Sequence, residues 1–493
     1  MEPKVHQPSI DPSVLLDALR SVLSPGSVLH EAEQLAPWEC DGLSAYRQRP
    51  LFVCLPETVE QLQALLRLCH ERQVPVVARG AGTGLSGGAL PDAEGVLIGL
   101  AKFNRILEID PANRLARVEP GVRNVAVSEA SAVHGLYYAP DPSSQIACTI
   151  GGNIAENAGG VHCLKYGLTV HNVVAMKVLT MDGTLLELGG GAPDAPGYDL
   201  LALMTGSEGL LGIVVEATLR LLPLPASTRV LLAAFDSVSA AATTVGDIIG
   251  AGILPAGLEL MDRLAIRAAE DYAGAGYPRD AAAILLCELD GDSEELDARM
   301  RQVEALATAR GATRIDIAVD PAERRRLWAG RKAAFPAMGR IAPDYYCMDG
   351  TIPRRRLPEV LEHISEWSRE YGLAVANVFH AGDGNLHPLI LYDANRPGEL
   401  ERAEEFGGRI LELCVQVGGT ITGEHGVGVE KLDQMCVQFT DAELEQFRLI
   451  KDAFDPHRLL NRGKAVPTLH RCAELGRMHV HAGKLPHPEL ERF

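Results

Sequence analysis

The first half of the chain is organised around the segment Arg79-Gly80-Ala81-Gly82-Thr83-Gly84-Leu85-Ser86-Gly87-Gly88-Ala89, which holds five glycines in eleven residues. The apolar run Val74–Ala78 precedes it and predicts a buried strand that leads into a tight loop. Glycines at this density let a ligand approach the backbone closely and let successive N–H groups face phosphate oxygens. The segment therefore predicts a phosphate-binding loop, although a glycine loop alone is also compatible with a structural turn.

Residues Gly82–Gly87 also match the dinucleotide pattern GxGxxG. That pattern binds a nicotinamide cofactor only when a helix follows the glycines directly. Here the next apolar run is Val96–Leu100, which predicts another strand. The sequence context therefore excludes a nicotinamide site.

Two further stretches of small residues follow, Thr149–Gly160 and Thr205–Val214. The rigid, proline-containing segment Pro140–Ser144 precedes the first of them and predicts a loop packed against a ligand. Three such stretches in one region are difficult to explain as turns alone. Together they predict one extended cofactor that lies across the N-terminal part of the chain.

Ordinary secondary structure is predicted around these stretches. Thr58 and Gln61 form a capping box before a helix, and two hairpins are predicted at residues 106–119 and 173–188. The second half alternates strand and helix, which predicts a separate α+β domain whose sheet is covered by helices on one face. The predicted strands are Val230–Phe235, Ile284–Leu289, Arg314–Ala318 and Leu373–Phe379.

Composition excludes several classes of protein. The net charge of -19, without a basic cluster, argues against nucleic-acid binding. The N-terminus lacks the features of a signal peptide, and no apolar stretch reaches the roughly 20 residues that span a bilayer. The ten cysteines are scattered without a Cys-x-x-Cys pair, which indicates a reducing compartment and argues against an iron–sulfur cluster in this chain. We therefore expect a soluble cytoplasmic protein.

The segment Phe379–His387 predicts a metal site. If Asp383-Gly384 is the two-residue turn of a hairpin, His380 lies directly opposite His387. Opposed residues on one face have Cβ atoms roughly 5 Å apart, close enough for two imidazoles to share an ion.

A third ligand is predicted at Glu424, whose flanking glycines expose it together with His425. Two histidines and one carboxylate with an open position are typical of a catalytic metal site. His425 is then free to act as a general base. The alternative is that these are structural histidines in glycine-rich turns, with ring nitrogens that are hydrogen-bonded within the protein. The side chains of the tail are interpreted as surface or partner-facing groups rather than ligands: His470, Cys472, His479, His481 and His487.

The three glycine-rich stretches resemble the flavin-binding domain of the vanillyl-alcohol oxidase class, also called the PCMH type. The pair His380 and His387, with Glu424-His425, resembles the C-terminal domain of FAD-linked 2-hydroxyacid dehydrogenases and oxidases. The resemblance covers about residues 45 to 465. It implies an α+β fold with a helical segment at 1–47, a two-part FAD-binding domain at 48–227, a substrate and metal domain at 228–466 and a tail at 467–493.

The resemblance implies that the cofactor is FAD, with the three stretches around its pyrophosphate and isoalloxazine. Covalently flavinylated relatives attach the ring through a histidine in the first loop, and the matching residue here is Thr83, so we expect non-covalent FAD. The residues implied to bind FAD are Arg79, Gly80, Ala81, Gly82, Thr83, Gly84, Pro140, Asp141, Ser143, Thr149, Gly152, Asn153, Asn157, Gly159, Glu208, Gly209, Gly212, Ile213, Val214 and Asn461.

The resemblance also implies a mechanism. A divalent ion (zinc, iron or manganese) on the three ligands would bind the 2-hydroxyl and one carboxylate oxygen of the substrate. His425 would take the hydroxyl proton while hydride passes to flavin N5. Arg331 matches the arginine that binds the substrate carboxylate in the family. The alternative interpretation of Arg331 is a surface arginine near the basic run 324–326.

Substrate and partners follow from the same resemblance. Relatives that act on hydroxyglutarate carry polar residues for the distal carboxylate, and the matching positions here are Phe335, Cys347 and Leu389, which cannot pair with a second charge. We therefore expect a small monocarboxylate, glycolate before D-lactate. Electrons are expected to pass to a quinone or to partner subunits that carry a second flavin and iron–sulfur clusters. The tail from Pro467 would dock such a partner, and the protein would reach a membrane only through it.

Two alternatives from other classes remain at this stage. A metallohydrolase would use Glu424 or His425 to activate water, but it leaves the three glycine-rich stretches unexplained. A non-catalytic subunit that only carries FAD leaves the metal and base residues unexplained. A colourless purified protein favours the first, and a yellow but substrate-inert protein favours the second.

Overall fold

The computed structural model describes residues 11–192 and 197–467 and consists of two α+β units. The strands of the N-terminal unit are β1 (Val28–Leu29), β2 (Phe52–Cys54), β3 (Val76–Arg79), β4 (Val96–Gly99), β5 (Ile106–Asp110), β6 (Leu115–Val118), β7 (Leu136–Tyr137), β8 (Val173–Leu179), β9 (Leu185–Gly189), β10 (Ile213–Arg220) and β11 (Leu222–Pro223). Its helices are α1 (Pro12–Val22), α2 (Ala32–Leu35), α3 (Val59–Glu71), α4 (Asn124–Ser131), α5 (Ile150–Glu156), α6 (Cys163–Tyr166), α7 (Thr169–Asn172) and α8 (Leu200–Met204).

The N-terminal unit is built on two main sheets. Strands β2, β3 and β4 pair in parallel, and β1 adds to β2 in the antiparallel sense, in the order β1-β2-β4-β3. The second sheet is antiparallel, in the order β5-β6-β10-β8-β9. The predicted hairpins are confirmed as β5–β6 and β8–β9.

Local sequence explains the elements that position the glycine loop. Gln61 N donates to the Thr58 hydroxyl at 3.3 Å, which caps α3, and the helix buries Leu62, Leu65 and Leu66 on one face. The chain then enters β3, the irregular loop 80–89 and, as predicted, strand β4 rather than a helix. This order confirms that the loop is not a dinucleotide-binding turn.

The C-terminal unit has one seven-stranded sheet in the order β15-β12-β14-β13-β17-β18-β16. Its strands are β12 (Ser227–Phe235), β13 (Gly257–Asp262), β14 (Ala283–Gly291), β15 (Ala312–Ala318), β16 (Asp344–Cys347), β17 (Val375–Phe379) and β18 (Pro388–Tyr392). Its helices are α9 (Val238–Gly250), α10 (Arg263–Ala273), α11 (Ser293–Ala309), α12 (Pro321–Ala337), α13 (Leu357–Tyr371), α14 (Glu399–Gln416), α15 (Leu432–Gln438) and α16 (Asp441–Phe454). The predicted strands are confirmed as β12, β14, β15 and β17.

The prediction that helices cover one face of this sheet is wrong. Along β12, Leu231 and Ala233 pack in the core formed with α9, α11 and α13, whereas Val230 and Leu232 pack in the core formed with α10 and α12. The strand is apolar at consecutive positions because both of its faces are buried. The second helical layer places α12 beside the candidate site.

The described end of the chain returns to the N-terminal unit. Leu460 forms a parallel bridge with Val76, and Asn461 N donates to Val76 O at 2.8 Å. Residues 459–461 therefore pack with the N-terminal sheet, although they lie inside the predicted segment 228–466. Of the predicted tail at 467–493, residues 468–493 lie outside the described residues. None of the helices within the described ranges has the length and apolarity to cross a membrane.

Candidate active site

A cavity of about 680 Å³ lies between the two units. All three glycine-rich stretches contribute to its wall, and His387, Glu424 and His425 line the same cavity. The loops that sequence reasoning assigned to one cofactor therefore converge, and the predicted metal and base residues lie in the same space.

Most of the predicted cofactor residues line this cavity. The lining members are Arg79, Gly80, Ala81, Gly82, Thr83, Gly84, Ser143, Thr149, Gly152, Asn153, Glu208, Gly209, Gly212, Ile213 and Val214. The remaining predicted residues do not line it: Pro140, Asp141, Asn157, Gly159 and Asn461. Of these, Asn461 supports the wall, because its side-chain amide donates to Gly88 O at 3.0 Å and to Glu208 O at 2.6 Å.

The glycine loop is packed tightly against the second stretch. A Cβ on Gly80 would lie 2.3 Å from the Thr149 hydroxyl oxygen, which caps α5 by accepting from Gly152 N. Gly82 has a φ of +68°, a conformation that side-chain-bearing residues rarely adopt. The sequence therefore needs glycine at these positions to form an open cradle of backbone, which fits an elongated phosphate-containing cofactor.

The structure brings together the three predicted metal ligands. Glu424 Oε1 lies 3.4 Å from His380 Nε2 and 3.2 Å from His387 Nε2. The candidate ligand atoms of all three residues lie within 4.8 Å of one another. His380 Nε2, both ring nitrogens of His387 and Glu424 Oε2 are buried without a hydrogen-bond partner. Buried polar atoms are rarely left unpaired, so this donor set fits a divalent ion.

The hairpin register that predicted the histidine pair is wrong by two residues. The prediction assumed a two-residue turn at 383–384, which would place His380 opposite His387. In the structure His380 pairs with Asn385 instead. Because side chains alternate with a period of two, a two-residue shift keeps both histidines on the same face. They are diagonal neighbours with ring centroids 5.0 Å apart.

The loop is wider than predicted because another segment holds it. Ile352 N donates to Gly384 O at 3.0 Å, and a Cβ on Gly384 would lie 2.1 Å from Ile352 O. Gly384 has a φ of +86°, so the close contact and the turn both require glycine. A long-range contact therefore sets the loop length, which local turn rules did not reveal.

Glu259 on β13 orients the first histidine, and sequence reasoning missed it. Both carboxylate oxygens lie 2.9 Å from His380 Nδ1, and the residue is 1% exposed. A partner on Nδ1 leaves Nε2 directed toward Glu424, the arrangement that metal-ligating histidines adopt. The available signal was a carboxylate between the apolar residues Leu258 and Leu260 of β13.

Arg331 forms a buried ion pair with Glu259 and does not line the cavity. Its Nε donates to Glu259 Oε2 at 2.8 Å, its Nη2 lies 2.7 Å from the same oxygen, and it is 2% exposed. The surface-arginine alternative is therefore wrong. Direct contact of Arg331 with a substrate carboxylate stays a prediction.

Asp349 holds the loop that carries Glu424 and His425, and it was also missed. Its Oδ2 accepts the Thr422 hydroxyl at 3.0 Å and the backbone N–H groups of residues 423–425 at 2.7–3.1 Å. Its Oδ1 accepts a hydrogen bond from the ammonium of Lys431, and both side chains are fully buried. Burial alone would raise the pKa of Asp349, but Lys431 and these donors lower it to about 2.

His425 is placed beside the ligand cluster without belonging to it. Its ring stacks on His387 with centroids 5.0 Å apart and an angle of 15° between planes. Burial lowers the pKa of His425 to about 4, which leaves the imidazole neutral. Its backbone carbonyl accepts the Ser86 hydroxyl at 2.9 Å, so a residue of the glycine loop fixes its position.

The three positions matched to a distal-carboxylate pocket differ in location. Phe335 lines the cavity, and its ring centroid lies 5.9 Å from that of His387. Cys347 and Leu389 are buried and do not line this cavity. An apolar ring therefore occupies the wall beside the candidate ligands.

Comparison with known proteins adds family relationships. Residues 50–189 match the FAD binding domain family, and residues 224–465 match the family of FAD linked oxidases, C-terminal domain. The chain is 63% identical over 486 residues to glycolate oxidase subunit GlcD of Escherichia coli strain K12. The matched residues make up 99% of this chain and 97% of that protein. It is 33% identical to a D-lactate dehydrogenase of Anaerostipes hadrus, over 90% of this chain and 95% of that protein.

Solved structures share the architecture. p-Cresol methylhydroxylase with bound substrate matches with a TM-score of 0.78 at 19% identity, over 93% of this chain and 97% of that one. At this identity the likeness shows the fold alone, and it confirms the predicted PCMH-type domain followed by an α+β domain.

Proposed function

The chain belongs to the family of FAD-linked oxidases, and from this premise we propose that it oxidises glycolate, and also D-lactate, to the 2-oxo acid. FAD-linked oxidation of a hydroxy acid is the chemistry that its relatives share. This assignment removes the metallohydrolase and the non-catalytic carrier as alternatives. The observation that carries the proposal is the single cavity that joins the glycine cradle to His387, Glu424 and His425.

The similarity to one branch of the family supports glycolate as the substrate. In sequence, the segment Arg331–Pro353 and the tail from Thr468 resemble the FAD-linked subunit of glycolate oxidase. The 63% identity to a glycolate oxidase subunit confirms this resemblance.

When bound, FAD would supply the redox chemistry and a divalent ion would supply Lewis-acid chemistry at the substrate hydroxyl. His380, His387 and Glu424 would hold the ion. His425 would accept the hydroxyl proton at a ring nitrogen, which its neutral state and its stacked position beside His387 support. Glu259 and Asp349 would keep these groups in position, and Phe335 would limit the length of the substrate.

Steady-state turnover with an artificial electron acceptor tests the substrate. We expect glycolate to give the highest kcat/KM, D-lactate a lower one and D-2-hydroxyglutarate poor turnover. The second carboxylate would have to be buried beside Phe335 without a partner, which costs several kcal/mol. Efficient hydroxyglutarate turnover would contradict the pocket argument.

The metal and the flavin linkage each have a separate test. Elemental analysis of the purified protein is expected to find about one zinc, iron or manganese ion per chain. Acid precipitation is expected to release all of the FAD, because Thr83 offers no imidazole for covalent attachment. Flavin that stays with the precipitate would show that the linkage is covalent.

Partner subunits are proposed from the name of the 63% identical relative, which is a subunit. They would carry a second flavin and iron–sulfur clusters and receive the electrons. Removal of residues 467–493 is expected to abolish co-purification of a partner while dye-linked activity remains. Unchanged co-purification would show that the tail is not the docking segment.

A further inference from the structure

Glu156, the last residue of α5, lies where the first glycine-rich stretch meets the loop that carries the candidate base. It lines the cavity. Its Oε1 lies 2.7 Å from the position that a Cβ on Gly88 would take, and its Oε2 lies 2.1 Å from the corresponding position on Gly426. Gly426 directly follows His425, which lines the same cavity. One side chain therefore reaches both walls at the point where the cofactor and the base would meet.

The carboxyl group of Glu156 is available to a ligand. Its Oε2 is buried without a hydrogen-bond partner. Within residues 11–192 and 197–467 its Oε1 has no hydrogen-bond partner either. Buried polar atoms are rarely left unpaired, so a polar group on the wall of an open cavity indicates a partner that binds in that cavity.

A second carboxyl group lies beside that of Glu156. Glu208 Oε1 lies 3.0 Å from the same Cβ position on Gly426. Its two oxygens accept hydrogen bonds from Val427 N and Gly428 N, both at 2.7 Å. These donors stabilise a negative charge on Glu208, and two neighbouring carboxyl groups do not both ionise readily.

The two buried lysines in this region bind other acceptors. Lys464 Nζ donates to Gly88 O at 3.0 Å and to Asn461 Oδ1 at 2.7 Å. Lys431 Nζ donates to Gly426 O at 2.8 Å. Neither ammonium group forms an ion pair with Glu156 within the part of the chain that the structure describes.

These surroundings favour the protonated form of Glu156. Burial and the charges of Glu208 and Asp41 raise the pKa of Glu156 well above 4.5, although Lys431 and Lys464 oppose the shift. A protonated carboxyl group offers one O–H donor, whereas a carboxylate only accepts. The side chain is therefore suited to a hydrogen-bond acceptor in the cavity.

We propose that Glu156 donates a hydrogen bond to the ring system of FAD and thereby favours reduction of the flavin. This inference rests on the proposed function, because oxidation of a substrate beside His425 requires the redox-active ring at this part of the cavity. The ring gains electron density on reduction, so a fixed donor stabilises the reduced form more than the oxidised form. An ionised carboxylate at the same place would have the opposite effect.

The test is anaerobic equilibration of the FAD-loaded protein with a reference dye of known potential. At a fixed dye ratio, Glu156→Ala is expected to lower the ratio of reduced to oxidised flavin about tenfold, which is about 30 mV for a two-electron couple. Glu156→Gln is expected to stay within about threefold of wild type, because its amide also donates. Glu129→Ala, at an exposed residue of α4 that does not line the cavity, is the control for the loss of a carboxyl group.

A further variant keeps the test decisive if Glu156→Ala does not fold. Glu156→Met has a side chain of similar size without a donor and is expected to show the same tenfold loss. A ratio equal to that of Glu129→Ala in either donor-free variant would overturn this inference. A ratio that rises in Glu156→Gln would also overturn it, because it would show that an ionised carboxylate opposes reduction.

The dye measurement uses no substrate, so it separates the two proposals. Failure of any 2-hydroxy acid to reduce the wild-type flavin would overturn the proposed function, even if the variants at Glu156 change the dye equilibrium as expected. Reduction by glycolate in wild type, with an unchanged dye equilibrium in the donor-free variants, would overturn the role of Glu156 alone. The flavin content and thermal stability of each variant show whether it has folded.

Discussion

The cofactor cradle (the glycine-rich stretches around residues 79–84) and the ligand cluster (His380, His387 and Glu424) meet at one cavity, and they are built in different ways. The cradle uses the backbone of consecutive residues, such as 79–84, whose glycines let a ligand approach. The cluster uses side chains from distant parts of the chain, including Glu259, His380 and Glu424, each fixed by another buried polar group. A backbone site can be recognised in a continuous sequence, whereas a side-chain site depends on contacts that only the fold creates.

The difference also predicts how substitutions affect each region. In the cluster, buried charges depend on one another, so loss of one partner leaves another uncompensated. Ser86 and Glu208 of the cradle contact the loop that carries Glu424 and His425. The backbone of residues 79–84 does not pair with the buried charges of the cluster within the described residues, so the protein is expected to keep FAD when the cluster is damaged. Each variant below is therefore judged by its flavin content as well as by its activity or stability.

The largest effect is expected from His425→Asn. Loss of a general base lowers rates by about 100- to 10,000-fold, so the rate of anaerobic flavin reduction by glycolate is expected to fall by that factor. FAD content is expected to match wild type, because the cradle is unchanged. His363→Asn, at a half-exposed histidine on α13, is the matched control and is expected to reduce at the normal rate. A loss of less than tenfold in His425→Asn would exclude it as the base.

Asp349→Asn is expected to cost about 3 kcal/mol of the free energy of unfolding. The change removes the charge that pairs with fully buried Lys431 and weakens the four contacts to residues 422–425. Chemical denaturation measures the cost. The double variant Asp349→Asn/Lys431→Met is expected to recover part of the stability but not the activity, because the loop still loses its anchor. A cost below about 1 kcal/mol would show that the pair does not hold the loop.

Glu259→Gln is expected to weaken metal binding by about 10- to 100-fold, as loss of a group that orients a ligating histidine does. Competition with a chromogenic chelator measures the affinity directly, without turnover. Glu366→Gln, at an exposed residue of α13, is the control. Unchanged metal affinity with normal folding would show that Glu259 serves only to pair with Arg331.

The smallest effect concerns a contact that joins the N-terminal and C-terminal units. His162 of the N-terminal unit lies 2.8 Å from Asp141 and 3.1 Å from Glu288 of β14. Burial alone would lower the pKa of His162, but the two carboxylates raise it well above 6.5. A raised folded-state pKa gives stability that is fully present below pH 6.5 and is lost as the pH rises through the folded pKa.

Denaturation at several pH values tests this contact. The difference in free energy of unfolding between wild type and His162→Gln is expected to be largest below pH 6.5 and to shrink at alkaline pH. A difference that does not vary with pH would show that the histidine acts by packing alone.

The sequence predicted the cradle well and the cluster only in part. The glycine-rich stretches and the strand after Gly88 followed from local patterns, and the structure brings the stretches to one cavity. It also brings the ligand atoms of His380, His387 and Glu424 within 4.8 Å of one another, while their role as metal ligands stays a prediction. The histidine pair was predicted through a wrong register, and it survived because a two-residue shift preserves the face. Local turn rules did not contain the contact of Gly384 with Ile352.

The residues that the sequence missed share one property. Glu259 lies inside the largely apolar strand β13 and Asp349 lies two residues after β16, and their partners are 72 to 121 positions away in the chain. No periodicity or spacing links such pairs before the strands are ordered. The helices on the second face of the C-terminal sheet were missed for a similar reason, since an apolar strand does not show which helix covers it.

The central claim is that the cradle and the cluster act together in one oxidation. Its most direct test is the flavin absorbance spectrum of the purified protein under anaerobic conditions, before and after glycolate, with and without prior removal of metal by a chelator. We predict that glycolate bleaches the flavin bands, that the metal-free protein keeps its FAD but does not bleach, and that a divalent ion restores bleaching. Equal bleaching with and without metal would contradict the role of His380, His387 and Glu424, and no bleaching by any 2-hydroxy acid would contradict the account as a whole.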